Sequence, residues 1–460
     1  MTLNKRIFRE YDIRGVADRD LGSDLVRDLG RALAAHLAPT TGSATIAVGR
    51  DCRVTSPRLF EALTDGIRES GTKVLDIGVV PSPVLYFAAF NEKPDGAVII
   101  TGSHNPGEDN GFKMLRGTHS IYGDEIRSLR ERIEAQNFLA KSSQGALEAR
   151  DMVTPYIDYV VSTLELDERR ATIVVDAGNG TGGPVAVQLY ERLGYKVIPL
   201  YCEMDGSFPN HHPDPTVESN LEDLKKAVID NGADLGIALD GDADRIGAID
   251  SKGRVLWGDQ LLILLGRALL LEKPGASIIG EVKCSQALYD EIAKAGGNAI
   301  MSKVGHSLIK ARMKESGALL AGEMSGHIFF GHRFLGFDDG VYAGARLLEL
   351  LSKSDDTLAD LYDTLPKMVN TPEIRVPCAD DIKFDVVAEV TRRMRAHDQV
   401  KDVIDVDGVR ANFGDGWGLV RASNTQPSLV LRCEADSQPR LSGIREILES
   451  EIRRAQERQG

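Results

Sequence analysis

Cysteine is scarce and scattered in this chain. Cys52, Cys202, Cys284, Cys378 and Cys433 are the only five in 460 residues. Their number is odd and none forms a C-x-x-C pair, so neither a disulfide framework nor a zinc site is indicated. Basic residues are in deficit, with a formal net charge of −14 and a pI near 5.2. Nucleic acids and membrane surfaces both select basic patches, so no nucleic-acid partner and no membrane partner is expected. A local basic pocket for an anionic metabolite stays compatible with this balance. Long apolar runs are missing as well. The most apolar one, Leu261 to Leu271, is interrupted by Gly266-Arg267 and is too short to span a bilayer. The opening Met1-Thr-Leu-Asn-Lys-Arg-Ile7 lacks the apolar core of a signal peptide, and a cytoplasmic protein is expected. The hydrophobic fraction of 42% and charged fraction of 27% belong to a soluble globular chain. Its length exceeds one ordinary core and predicts three or four domains.

What the chain does contain is an internal repeat. Ala44-Thr-Ile-Ala-Val48 reads as a strand, followed by a helix from about Ser56 with Phe60, Leu63 and Ile67 on one face, then a second strand, Lys73 to Ile77. The second copy runs from Ala171–Val175 through a helix starting near Pro184 to Lys196–Leu200. The third runs from Ala276–Ile279 through a helix near Leu288 and Ile292 to Asn298–Met301. A glycine precedes each second strand: Gly71, Gly194 and Gly297. Each copy then delivers a third apolar strand into a polar, glycine-bearing loop. Gly96–Ile100 enters Thr101-Gly-Ser-His104, Leu235–Leu239 enters Asp240-Gly-Asp-Ala-Asp244, and Ala318–Ala321 enters Gly322-Glu-Met-Ser-Gly-His327. Strands alternating with helices predict parallel or mixed sheets with covered faces. Three similar copies carrying three different loops suggest one site assembled where the copies meet. From about Asn370 the pattern breaks into an α+β segment: a strand at Glu373–Val376, a helix near Val386 to Met394, a hairpin-like pair Val403–Val409 and Gly418–Val420, a strand at Leu429–Arg432 and a C-terminal helix. Boundaries are expected in the polar stretches 149–151, 251–253 and 366–370.

Each loop offers chemistry. Ser103 stands on a loop after a buried strand, where α/β proteins place reacting groups, although a lone serine there can equally cap a helix or close a turn. His104 and Asn105 crowd the same turn, and Gly111-Phe-Lys113 brings a cation nearby. The G-x-S-x-G elbow of serine hydrolases is absent. Asp240, Asp242 and Asp244 fall at every second residue, which in an extended loop aims all three to one side and suits a hard divalent cation. A solvated acidic turn is the alternative; an EF-hand is not, since its glycine and glutamate positions hold Arg245 and Ser251. Glu323, Ser325 and His327 could grip sugar hydroxyls. Arg421-Ala-Ser-Asn-Thr-Gln-Pro427 combines a guanidinium, hydroxyls and an amide suited to a phosphate dianion. Gly178-Asn-Gly-Thr-Gly-Gly183 fits the G-x-G-x-x-G dinucleotide fingerprint after a strand. The other copies share the strand–turn–helix without these glycines, which favours turn geometry over NAD binding.

In chain order, the opening Phe8-Arg-Glu-Tyr-Asp-Ile-Arg-Gly15, the Ser103 loop, the aspartate loop, the 322–327 loop and the 421–427 loop closely resemble the α-D-phosphohexomutases. Met324 resembles the phosphomannomutase/phosphoglucomutase branch rather than the phosphoglucosamine mutases. The resemblance implies three similar mixed α/β domains and a smaller α+β C-terminal domain around a central cleft. Their division is expected as a catalytic serine domain at 1–150, a metal-binding domain at 151–252, a sugar-binding domain at 253–368 and a phosphate-binding domain at 369–460. It implies interconversion of hexose 1-phosphate and hexose 6-phosphate, of mannose and glucose, through phosphoserine and a 1,6-bisphosphate. Phosphoglucosamine mutase is the near alternative and an NAD-binding dehydrogenase the distant one. Ser103 would carry the phosphoryl group, and Mg²⁺ would sit on Asp240, Asp242 and Asp244 with an oxygen of that phosphoserine. Lys113 and His327, with Arg14 near, would move protons or stabilise charge. Tyr11, Arg245, Lys283, His306, Glu323, Ser325, His327, Arg421, Ser423, Asn424 and Thr425 would bind substrate. Glucose 1,6-bisphosphate would act as activator, the last domain would close as a lid, and the chain would work as a monomer.

Overall fold

The computed structural model describes residues 3–38, 44–140, 143–423 and 426–459. The chain forms two compact units, Met1–Leu261 with Ser325–Asp363, and Leu262–Met324 with Thr364–Gly460. The stretch 253–368 therefore contributes to both.

In the first unit, Thr45–Arg50 lies between parallel neighbours Lys73–Val79 and Gly96–Ile100. Asp109–Arg116 runs antiparallel beside Gly96–Ile100, and Ile13–Val16 extends that side. Leu147–Ala149 adds to the opposite side. All five residues of Gly96–Ile100 are buried, which is why that run shows no alternation. The helix Ser56–Glu69 buries Leu63 and Ile67, as its spacing predicts, but with Leu59 beside them; Phe60, expected on that face, is only half-buried. The helix Ser82–Asn91 shows no apolar stripe, because nearly every side chain on it is buried.

The second copy repeats the order: Thr172–Asp176 lies between parallel Lys196–Leu200 and Leu235–Leu239, with Ile246–Asp250 antiparallel beyond. Its helix is Gly182–Arg192, beginning two residues before Pro184. In the second unit, Ser277–Glu281 likewise lies between parallel Asn298–Ser302 and Leu320–Gly322. Each copy thus ends its third strand beside its first. There the order reverses and the loops at the carboxyl ends diverge, the usual place for a binding site in open α/β sheets.

The C-terminal segment is an antiparallel sheet covered by the helices Lys383–Arg395 and Gln438–Gln459. Val386, Val390, Met394, Ile444, Leu448 and Ile452 fill its core. The expected strand Val403–Val409 is a correction. Asp402–Ile404 and Val409–Asn412 are separate strands, since Asp405-Val-Asp-Gly408 is a run of turn-formers. Val409–Asn412 pairs with Gly416–Ala422 as the actual hairpin. Among the described residues, no helix is long and apolar enough to cross a membrane.

Candidate active site

Gly96–Ile100 ends at Thr101, whose Oγ1 accepts the Ser103 amide at 2.8 Å. Ser103 is only 2% exposed and takes the left-handed conformation, φ +49°. That conformation is uncommon for a residue with a β-carbon and must be held by its surroundings. The holder is Arg53, which sequence reading missed. Its buried guanidinium donates to the carbonyls of Ser103 (2.7 Å), Asn105 (2.6 Å), Pro106 (2.5 Å) and Asp109 (3.0 Å). It also pairs with Asp51 at 3.2 Å, and Asp51 accepts the Gly102 amide. Arg50-Asp-Cys-Arg53 leaves the carboxyl end of the first repeated strand. That position was the available signal.

The aspartate loop is not extended, which corrects the expected alternation. It is a tight turn in which the Ala243 amide donates to the Asp240 carbonyl and Ala243 is left-handed at φ +57°. Folding of the turn, rather than strand alternation, brings the three buried carboxylates together, with one oxygen of each within 4.8 Å of the others. Gly241 lies so close to the serine loop that a β-carbon would stand 2.5 Å from the Ser103 carbonyl oxygen. The Ser103 hydroxyl donates to Asp240 Oδ2 at 2.7 Å and lies 3.1 Å from His104 Nδ1. Lys113 Nζ donates to Asp242 (2.7 Å) and Asp244 (2.5 Å), and the Ser82 hydroxyl, a second missed group, donates to Asp242 at 2.5 Å.

Burial pulls the Lys113 ammonium towards neutrality, but Asp242, Asp244 and Asp240 outweigh it and hold the lysine charged. Burial likewise raises the Asp242 carboxyl, and Lys113 with its hydrogen bond reverses this to well below the ordinary carboxylate range. Burial, reinforced by the Asp242 and Asp244 charges, pushes Asp240 well above its ordinary value. Burial, then Arg245 and Arg14, keeps His104 neutral. Asp242 Oδ1 and Asp244 Oδ1 are buried and accept no hydrogen bond. Two such oxygens beside Asp240 form an all-oxygen donor set that fits a hard divalent cation. Asp242→Asn removes one charged donor. It is expected to abolish tight cation binding and cut turnover at least about tenfold, checked by cation titration with circular dichroism as the fold control.

Arg245 donates its amide to Asp240 Oδ1 (3.2 Å) and its Nε to His327 Nε2 (3.0 Å). With Nε2 accepting, the His327 ring proton belongs on Nδ1, which faces the Asp244 carbonyl at 3.2 Å and Asp338 Oδ2 at 3.4 Å. Asp244, His327 and Asp338 also cluster, but a protonated Nδ1 cannot ligate a metal, which favours the three aspartates as the candidate cation site. Asp338 is a third buried group that sequence reading passed over. Arg14 pairs with Asp12 at 2.9 Å and donates to Asn105 Oδ1 at 2.8 Å, which ties it to the serine loop. Tyr11 is half-buried just before the strand Ile13–Val16, and Ser325 is half-buried two residues before His327.

The remaining expected residues belong to the second unit. Glu323 accepts the Gly305 amide at 2.7 Å, next to His306, the first residue of the helix His306–Ser316. Lys283 Nζ meets Glu373 Oε2 at 3.4 Å. The Glu281 carboxylate accepts the amides of both Lys283 (2.6 Å) and Met324 (3.3 Å), joining those two loops. Arg421 is buried and its Nε donates to Asp407 at 3.0 Å. Lys383 Nζ donates to the Ser423 and Gln426 carbonyls at 2.7 and 3.3 Å. Asn424 and Thr425 lie outside the described residues.

Comparison with known proteins agrees along the whole chain. Four phosphoglucomutase/phosphomannomutase family models match in order: α/β/α domain I at residues 5–140, domain II at 154–253, domain III at 257–369 and the C-terminal domain at 373–450. A phosphoglucomutase of Neisseria gonorrhoeae is 45% identical over 96% of both chains. A phosphomannomutase/phosphoglucomutase of Pseudomonas aeruginosa PAO1 is 44% identical over 98% of this chain and 96% of that one. The crystal structure of a phosphoglucomutase/phosphomannomutase family protein from Burkholderia thailandensis superposes with a TM-score of 0.91 at 40% identity, covering 99% of this chain and 98% of that one. With the four domain models in order and two relatives above 40% identity along nearly its full length, this chain belongs to the phosphoglucomutase/phosphomannomutase family, in the α-D-phosphohexomutase fold.

Proposed function

We propose that the chain is an isomerase interconverting hexose 1-phosphates and hexose 6-phosphates, with glucose and mannose as its sugars. The observation that carries this reading is the Ser103 hydroxyl, buried and 2.7 Å from Asp240 in a turn of three carboxylates faced by Lys113. A phosphoryl group on that oxygen would set a dianion against Asp240, an arrangement that demands a cation, and the aspartate turn has donors for one. Mg²⁺ is the ion we assign there, held by Asp240, Asp242, Asp244 and the phosphoserine. When bound it would neutralise charge on the phosphoryl oxygens.

In the cycle, phospho-Ser103 gives its phosphoryl to the free hydroxyl of the substrate; that hydroxyl loses its proton and Ser103 Oγ is the leaving group. The 1,6-bisphosphate then turns over, and its other phosphoryl returns to Ser103. Glucose 1,6-bisphosphate thereby acts as activator, since it loads the serine. Lys113, charged at neutral pH, stabilises the phosphoryl oxygens better than it accepts a proton. The Nε2 lone pair of His327 is taken by Arg245 and its Nδ1 carries the proton, so it too suits charge stabilisation. Neutral His104, with Nδ1 on the serine oxygen, is placed to hold the proton there. Arg14, Tyr11 and Arg245 serve the serine side, Lys283, His306, Glu323 and Ser325 the sugar, and Arg421, Ser423, Asn424 and Thr425 the phosphate that stays. We assign these roles to the division 1–150, 151–252, 253–368 and 369–460, in a cytoplasmic monomer.

Arg421→Ala should remove a charge-assisted phosphate contact of about 1.5–3 kcal/mol. KM should rise, with kcat falling as well if the held phosphate aligns the reacting hydroxyl. Wild-type values of both would exclude Arg421 from phosphate binding. Sugar choice gives a further expectation. Glucose and mannose differ only at C2, and Met324 offers no polar group to read it. The kcat/KM values for the two 1-phosphates should therefore agree within roughly two orders of magnitude, with glucosamine 1-phosphate poorer. A coupled assay across the three sugars decides this. A preference for glucosamine 1-phosphate would mark a phosphoglucosamine mutase instead.

A further inference from the structure

The run Gly178-Asn-Gly-Thr-Gly-Gly183 has no part in the reaction just described, yet it lies directly behind the aspartate loop. We propose that Asn179 is a positioning residue. Together with the strap 202–215, it locks this turn against the loop and so sets where Asp240 and Asp242 stand relative to Ser103. The inference rests on the reading of that loop as the cation site.

Asn179 is 6% exposed and left-handed, φ +61°. Each of its polar atoms has a partner. The amide donates to the Tyr201 carbonyl at 2.8 Å and Nδ2 to the Glu203 carbonyl at 2.9 Å. Oδ1 accepts Asn210 Nδ2 at 2.8 Å, and the carbonyl accepts the Asp205 amide at 2.9 Å and the Cys52 thiol at 3.4 Å. The strap therefore dictates the conformation from which the next residues depart. Two residues on, the Thr181 amide and hydroxyl both donate to the Gly241 carbonyl, at 3.0 and 3.2 Å. A β-carbon on Gly180 would stand 2.7 Å from that same oxygen, so a side chain has no room. The space beside the fingerprint glycines is thus filled by the protein itself, by backbone at Gly180 and Gly183 and by Pro213 at Gly178, where a dinucleotide would need open space. The aspartate loop is held from behind by this turn and from the front by the serine loop.

The strap reaches the serine loop as well. Gly206 bridges to Arg53 in a short parallel pairing, and the Phe208 ring centre lies 5.0 Å from the Arg53 guanidinium. His211 Nε2 meets the Asp176 carboxylate at 3.0 Å, pinning the strap beside the turn. One segment therefore braces both catalytic loops. Groups that orient metal ligands from outside the coordination shell commonly change metal affinity by about 10–100-fold when lost.

The test is direct binding of Mn²⁺ alone, an oxygen-seeking stand-in for Mg²⁺, counted by its electron paramagnetic resonance signal on the full-length protein. Asn179→Gly removes the side-chain amide while keeping the backbone hydrogen bonds and the left-handed conformation accessible. Asn210→Ala, at an exposed position, removes only the donor to Asn179. Both should weaken Mn²⁺ about tenfold or more, and Asp242→Asn should abolish binding. If Asn179→Gly does not fold, Asn210→Ala decides alone. Wild-type affinity in these variants, with Asp242→Asn inactive in binding, would overturn the positioning role and leave the cation site standing. Wild-type affinity in Asp242→Asn would remove the cation reading, and the positioning role with it.

Discussion

Ser103→Ala is expected to lower kcat at least roughly 10⁴-fold while leaving the chain folded, because the reaction has no other acceptor for the phosphoryl group. The loop does not depend on the hydroxyl. The Ser103 amide bonds to Thr101 and its carbonyl to Arg53, and alanine keeps both. Only the contacts of Oγ with Asp240 and His104 Nδ1 are lost. Two measurements check this. A coupled assay follows turnover, and intact mass with peptide mapping follows loading by glucose 1,6-bisphosphate. The wild-type chain should gain one phosphoryl on Ser103 and the variant none. Turnover by the variant, or label on another residue in the wild type, would end the phosphoserine assignment.

Arg53→Met should damage both stability and catalysis. The guanidinium is buried beside Asp51 and is the shared donor to four carbonyls of the serine loop. Removing one partner of a buried ion pair costs about 3–5 kcal/mol, since the other charge is left uncompensated. Asp51 retains the Ser56 hydroxyl and the Gly102 amide, which places the loss towards the lower end. Ser103 would then lose the contacts that hold φ at +49°, and a displacement of about 1 Å can cost about 10²-fold in rate. Arg53→Lys keeps the charge but cannot reach four acceptors with a planar fork, so it should recover stability more than kcat. Unfolding midpoints and kcat for the two variants test this. Arg53→Met with wild-type values of both would show that the loop holds itself.

The loops we assign to the chemistry were legible from local sequence, and the groups that hold them were not. Ser103, the three aspartates and Lys113 announce themselves because turn-formers after an apolar run mark a strand end, and because carboxylates seldom cluster without use. Arg53, Ser82, Asp338 and Asn179 carry no such mark. Each acts on a loop many residues away, and sequence spacing does not reveal a contact made across a fold. Asn179 was visible only as part of a glycine pattern that suggests a nucleotide. The structure shows that the protein's own backbone and Pro213 fill the space those glycines leave.

Sequence by itself determined the repeated strand–helix–strand copies, the break near Asn370 and the family, since these follow from periodicity and from motifs in fixed order. It also determined which residue types reach each loop. Tertiary structure alone decided how they meet. The aspartates converge through a tight turn with Ala243 left-handed, where their spacing suggested an extended loop. His327 is turned by Arg245 so that its proton faces Asp244 and Asp338. Lys113 stays charged because three carboxylates outweigh its burial. The reason is common to all three. Conformation, tautomer and charge state depend on neighbours brought together by the fold, and no residue's own position in the chain contains them.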